Sequence, residues 1–196
     1  MFITGTVFGS FYTLAVYRIP LKQDITHTRS YCPKCNHKLQ FFDLIPILSY
    51  IFLGGKCRYC KEKIRPRYLI LETLSGLFFV LFAMYLKIDL LNIEYNKLIM
   101  LVFGILFFSV IFIQVGIFKE YKKIQISVFN FGMIIETIYM IYLYILNTNI
   151  YRYIIYVFIL ALMSILNNIK QTKEKTRIIC FIIFVTIGIL EMAILI

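Results

Sequence analysis

The chain has 196 residues, of which 61% are hydrophobic and only 16% charged, with 21 basic residues against 10 acidic ones and a formal net charge of +11. Soluble domains carry about a quarter of their residues as charges, so this composition excludes an ordinary water-soluble domain and a charged disordered chain. It identifies a polytopic membrane protein.

Apolar runs that approach or reach the ~20 residues a spanning helix needs lie at residues 1–17, 69–86, 98–118, 124–146, 153–169 and 178–196. The expected fold is therefore all-α, a polytopic membrane helix bundle of about six transmembrane helices. The first run is the shortest. It covers only ~25 Å at ~1.5 Å per residue, which makes it a marginal span or one whose start lies upstream of Met1. No basic stretch precedes it and no small-residue cleavage site follows, which argues against a cleaved signal peptide. Small residues at Gly9 and Ser10 favour close helix packing, Arg18 can snorkel to the interface, and Pro20 ends the helix.

Orientation follows from where the basic residues fall, because Lys and Arg of short loops are retained on the cytoplasmic side. Residues 18–67 carry eleven of them, Lys119, Lys122 and Lys123 mark a second connection, and Lys170, Lys173, Lys175 and Arg177 a third. The alternate connections hold only Lys87, Lys97 and Arg152. Six spans with both termini outside, and the 18–67 loop in the cytosol, satisfy this pattern.

That loop holds the clearest motif. Cys32-Pro33-Lys34-Cys35 and Cys57-Arg58-Tyr59-Cys60 form two CxxC pairs with twenty-one residues between them. Two thiolates three positions apart can reach one ion from a tight turn, and a second turn completes the tetrahedral S4 shell that zinc prefers. A pair of disulfides is the competing reading, and a reducing cytosolic setting favours zinc over it. His27 and His37 are alternative ligands, whereas Cys180, inside the last span, reads as a packing residue. Residues 21–31 read as a solvated lead-in to the first knuckle. Residues 41–53, Phe-Phe-Asp-Leu-Ile-Pro-Ile-Leu-Ser-Tyr-Ile-Phe-Leu, are too short and too broken by Pro46 to span, and their aromatics predict an interfacial or re-entrant segment. The loop's excess of basic residues is what topology and anionic lipids already require, so no nucleic-acid partner is expected.

About seventy residues resemble the N-terminal module of the type IV prepilin leader peptidases. The similarity runs through Gly9-Ser10-Phe11, Tyr17-Arg18-Ile19-Pro20, Ser30-Tyr31-Cys32-Pro33-Lys34-Cys35, Asp43-Leu44-Ile45-Pro46-Ile47-Leu48-Ser49-Tyr50, Gly55-Lys56-Cys57-Arg58-Tyr59-Cys60, Arg67-Tyr68 and Glu72-Thr73-Leu74-Ser75-Gly76, with Thr13 where the family pattern has asparagine. The resemblance implies a multi-pass enzyme of the bacterial inner membrane that removes a basic leader from pilin-like precursors. In many members it then methylates the new N-terminus with S-adenosylmethionine. It also draws in Glu72, ~7 Å above Arg67 on the second span. Its carboxylate could hold a substrate amine or basic leader residue, or form a buried ion pair with Arg18, Arg65 or Arg67. On this reading residues 1–82 are the peptidase-like module and residues 83–196 a degenerate relative of the catalytic part.

Family proteolysis uses two membrane-embedded aspartates acting as a carboxylate pair. This chain has three aspartates, Asp24, Asp43 and Asp89, none at either place. Gln114 stands where the first is expected, and Asn167-Asn168-Ile169-Lys170 where the glycine-framed second one would open the last span. No catalytic residue is therefore assigned. Glu136 and Glu191 lie ~18 and ~21 Å into their spans, at similar depth but far from the cytosolic boundary where a leader is cut. Glu120 and Glu174 lie near that boundary among lysines and read as exposed salt-bridge formers. Two functions follow: a prepilin peptidase-like protein acting on pilin-like precursors, or a catalytically silent protein that holds pilin-like segments or assembly partners through its zinc loop.

Overall fold

The computed structural model describes residues 1–88, 94–146, 150–169 and 173–194. The chain divides into two compact units, Met1–Ile88 and Asp89–Ile196.

The first unit is built on two long helices, α1 (Phe2–Arg18) and α3 (Arg67–Tyr85), with the cysteine loop between them. Glycine decides how closely they approach. A Cβ on Gly9 would stand 2.8 Å from the Glu72 Cα, and one on Gly5 would stand 2.8 Å from the Gly76 Cα. The helices thus meet backbone to backbone, the arrangement small residues permit in membranes. Tyr12 and Ala15 from α1 and Phe79 from α3 are buried against this seam. The Thr13 hydroxyl donates to the Ser10 carbonyl at 2.7 Å, so it is satisfied within its own helix. On α3, Ile70, Leu74, Leu77 and Leu81 remain exposed along one stripe, a surface suited to lipid.

Within the loop, a 3-10 turn (Phe41–Asp43) precedes α2 (Leu48–Phe52). At five residues, α2 rises only ~7.5 Å, far too short to span. Phe41, Phe42, Leu48, Ile51 and Phe52 are exposed along it.

The second unit contains α4 (Tyr95–Tyr121), α5 (Ile126–Ile145), α6 (Ile150–Asn168) and α7 (Glu174–Ile194). Each helix packs on the next, and α7 returns against α4 and α5. The core is aromatic. Phe103 stacks on Tyr139 with ring centres 3.8 Å apart, and Phe184 lies 5.3 Å from Phe107 and 5.6 Å from Phe129. Gly132 makes room for Phe184 and Val110, and Gly188 for Phe107. Lys122 closes α4 in the left-handed conformation, its N–H donating to Phe118 O at 2.9 Å.

Four helices, Arg67–Tyr85, Tyr95–Tyr121, Ile126–Ile145 and Glu174–Ala193, are long and apolar enough to cross a membrane. The 17-residue α1 and the stretch Arg152–Asn168 of α6 are apolar but shorter. Each of the six predicted runs coincides with one long helix. The ends differ because hydropathy misses polar first turns: α4 begins on Tyr95-Asn96-Lys97 and α7 on Glu174-Lys175-Thr176-Arg177, ahead of the apolar starts expected at 98 and 178. Residues 195 and 196 of the last predicted run, and Asp89 and Lys170, lie outside the described residues.

The α1–α3 contact makes a sharp prediction. Gly9→Val, which drives a side chain into the α3 backbone, should lose ~2–3 kcal/mol in unfolding of the purified protein. Gly54→Ala, in open space at φ 58°, should lose only the ~1–2 kcal/mol of a left-handed backbone. Equal losses would mean that the seam does not depend on glycine.

Candidate metal centre

The two CxxC segments fold into the same turn. In the first, Cys32 N–H donates to His37 O at 3.0 Å and Asn36 N–H to Cys32 O at 2.8 Å. In the second, Cys57 N–H donates to Glu62 O at 2.8 Å and Lys61 N–H to Cys57 O at 3.0 Å. Asn36 and Lys61 both take positive φ, 56° and 61°, and the flanking residues close as antiparallel bridges, Tyr31 with Lys38 and Lys56 with Lys63. A shift of 25 positions carries one knuckle onto the other. The sequence signal was there to be read: Cys-x-x-Cys-x-x-Lys occurs at 32–38 and again at 57–63.

The knuckles bring all four sulfurs together. The Sγ atoms of Cys32, Cys35, Cys57 and Cys60 lie within 4.8 Å of one another, and Cys32 Sγ is 3.8 Å from Cys60 Sγ. Zinc–sulfur bonds of ~2.3 Å arranged tetrahedrally place neighbouring sulfurs ~3.8 Å apart, so the residues fit a zinc ion. The five cysteines are free, and a disulfide would need sulfurs ~2.05 Å apart. The first cysteine of each pair is buried and the second exposed. Burial raises the Cys32 thiol, but N–H donors of Cys35 and Lys34 outweigh it and bring it down to about 7. At Cys60 a Glu62 backbone donor is outweighed by burial and by the three sister thiols, which push it up to about 12. Four thiols in this space cannot all ionise without a cation among them.

Neither histidine joins the cluster. His37 packs on Tyr59 across the two knuckles with ring centres 3.5 Å apart, and His27 Nδ1 faces the Asp24 carboxylate at 3.3 Å. The 3-10 turn is tied to the second knuckle by Arg58 Nε, which donates to Asp43 Oδ1 at 2.6 Å.

Arg18 does not snorkel. It is 3% exposed, and its guanidinium donates to Asp24 O at 2.8 Å, to Thr28 O and Oγ1 at 2.9 and 2.8 Å, and to Arg29 O at 3.3 Å. Residues 21–31 are exposed at nearly every position, as expected of a solvated lead-in, and their backbone carbonyls wrap on this buried cation. Asp24 adds a local turn, its carboxylate held down at about 2 by backbone N–H groups of Thr26 and His27. Glu72 is buried, and its Oε2 accepts the Ile47 N–H at 2.8 Å, with Ser10 as a second donor. Ile47 sits at φ 62°, a costly conformation for a β-branched residue. Glu72 thus ties α3 to the start of α2 and to α1. Of the arginines weighed as its partners, Arg18 is committed to loop carbonyls.

In the second unit, the Gln114 amide is fully buried and faces the Gln125 backbone; with the amide oriented to satisfy both groups, its oxygen accepts the Gln125 N–H at 2.7 Å and its nitrogen donates to Gln125 O at 3.3 Å. Glu174 is more than an exposed ion-pair former. Its Oε1 accepts from Arg177 at 2.9 Å and its Oε2 accepts the Ile124 N–H at 3.2 Å, which pins the α4–α5 turn to the start of α7. Glu136 and Glu191 are fully buried, and neither carboxylate has a hydrogen-bond partner among the described residues.

A loop of two cysteine knuckles carried between closely packed apolar helices defines a four-cysteine module fit to hold a metal ion. Residues 3–86 match the family model of the bacterial Peptidase A24 N-terminal domain. Over this segment the chain is similar to prepilin leader peptidases. It is similar to the prepilin leader peptidase/N-methyltransferase of Vibrio cholerae, 41% identical over 91 residues that make up 42% of this chain and 35% of that one. It is likewise similar to that of Bacillus subtilis, 43% identical over 79 residues, covering 40% of this chain and 32% of the other. The enzyme of the same name from Myxococcus xanthus is 42% identical over 79 residues, covering 40% and 24%. The matched part spans about a third or less of these relatives' length. No solved structure matches the chain.

The four-sulfur geometry predicts one zinc per chain, measured by elemental analysis of the purified protein. Cys57→Ser should abolish it and increase proteolysis across residues 21–66 while the later helices stay inserted, because thiolate ligation contributes directly to folding. A full zinc complement in this variant would remove the site.

Proposed function

We propose that the chain is a prepilin leader peptidase-like integral membrane protein that engages type IV pilin-like precursors through its N-terminal module. The carrying observation is the four-sulfur loop seated on α1 and α3 within a segment similar to curated prepilin leader peptidases. In this reading Cys32, Cys35, Cys57 and Cys60 hold zinc. The metal's part is structural: with four thiolates it has no open position for substrate. The residues around it do the positioning. Arg18 fixes the lead-in, Asp43 and Arg58 join the 3-10 turn to the second knuckle, and Glu72 offers a buried carboxylate at the loop end of α3 for a substrate amine. S-adenosylmethionine is the methyl donor this reading implies, by analogy with the relatives named N-methyltransferases. The setting is the bacterial inner membrane, crossed six times, with the loop in the cytosol.

A second reading, a catalytically silent protein that binds pilin-like segments or assembly partners, is favoured by the second unit. Aspartic proteolysis needs one carboxylate ionised to take a proton from water and another protonated to polarise the scissile carbonyl. At the position proposed for the first stands the Gln114 amide, occupied with the Gln125 backbone. Residues 83–196 thus read as a degenerate counterpart of a catalytic part.

Co-expression with a cognate prepilin, followed by mass measurement of the pilin, separates cleavage, methylation and neither. The expected outcome is an uncut leader. Release of the leader would defeat the silent reading, and loss of that release in Glu136→Gln or Glu191→Gln would assign the work to the deep glutamates. Reporter fusions check the orientation: a fusion at Asn92 should report the outside, and fusions at Lys122 and Lys173 the inside. The opposite pattern would invert the topology.

A further inference from the structure

Between α2 and the start of α3 the loop forms an open cleft of about 340 Å³, walled by Tyr50 and Ile64, with Gly54 at its edge and Lys56, Lys63 and Arg65 around it. The wall is fixed by hydrogen bonds. Tyr50 Oη donates to Ile64 O at 3.3 Å, Ile64 N–H donates to Gly55 O at 2.7 Å, and a Cβ on Gly55 would meet the Tyr50 ring at 2.9 Å. Gly54 has nothing within 4 Å of the place a side chain would take, which leaves the backbone open to a close ligand.

The charges around this cleft are unbalanced. Lys56 and Lys63 stand directly opposite each other on an antiparallel bridge, a placement that sets Cβ atoms ~5 Å apart and destabilises like charges. Arg65 follows Lys63 by two residues and lines the same cleft. No carboxylate lines the cleft, and none of the three cations has an ion pair among the described residues. An anion between them would turn the repulsion into attraction, and an arginine fork beside two ammonium groups suits the several oxygens of a phosphate. The cleft ends at Pro66, next to Arg67, where the candidate membrane span α3 begins. Ile51 and Phe52, which follow the cleft residue Tyr50 on α2, are 61% and 83% exposed.

We propose that Lys56, Lys63 and Arg65 form a phosphate-binding site at the membrane end of α3, occupied by the headgroup of an anionic lipid or by a soluble phosphate monoester. A headgroup lies at the depth of a span's end, where the cleft meets the start of α3.

Native mass spectrometry of the full chain in neutral detergent tests this with phosphatidylglycerol, phosphatidylcholine and glycerol 3-phosphate as probes. Phosphatidylglycerol should be retained about tenfold more than phosphatidylcholine. The combined Lys56→Gln, Lys63→Gln and Arg65→Gln variant should lose that preference. Lys119→Gln, Lys122→Gln and Lys123→Gln together, which remove equal charge from another connection, should keep it. Lys63→Gln alone, expected to weaken retention about threefold, carries the test if the triple variant fails to fold. Displacement of the lipid by glycerol 3-phosphate identifies a soluble monoester as an occupant, and resistance to it identifies the lipid; both sustain the site. A preference that survives the Lys56, Lys63 and Arg65 changes, or falls equally in both triple variants, overturns it.

Discussion

The first unit depends on the contact between the backbones of α1 and α3. The loop that carries the cysteines leaves one helix at Arg18 and enters the other at Arg67, so its two ends are set as far apart as those helices are. With Gly5 and Gly9 against Gly76 and Glu72, that distance is close to the smallest two helices can take. Two knuckles of modest size can then meet. The same contact places Glu72 where its carboxylate reaches both Ser10 on α1 and the Ile47 backbone. Packing in the membrane and order in the loop are thus one problem.

What the sequence made legible depended on how local the cause was. The six apolar runs predicted six long helices because hydropathy is a property of each run by itself. The cysteine spacing predicted the cluster because a CxxC turn is set within a few residues. Arg18 was misread because its partners are backbone carbonyls of Asp24, Thr28 and Arg29, which leave no mark on side-chain identity. Its role became visible only once the chain had turned back on itself. Glu174 was read only in part: it forms the expected ion pair, with Arg177, while its second oxygen holds the Ile124 backbone fifty residues away. The repeat of the knuckle was in plain view and was missed by reading only its cysteines.

The second unit shows how a buried polar group can be structural or exceptional. Gln114 has a backbone partner on the neighbouring turn, so it stabilises the α4–α5 connection instead of straining the core. Glu136 and Glu191 lack such partners among the described residues, although Gly188 leaves room for Glu136 Oε1 at 3.0 Å from where its own Cβ would stand. Carboxylates so placed are expensive in a membrane. They mark the point in this unit where packing alone gives no reason for the residue.

The alternation of burial within each knuckle has a kinetic meaning for any ion held there. Cys32 and Cys57 face protein, while Cys35 and Cys60 face solvent. Such an ion has a sheltered hemisphere and an open one. A chelator, a competing metal or an oxidant can approach only from the open hemisphere, so exchange must begin with Cys35 or Cys60 letting go while the sheltered pair still grips. The order of departure is built into which thiol of each pair the chain chose to cover.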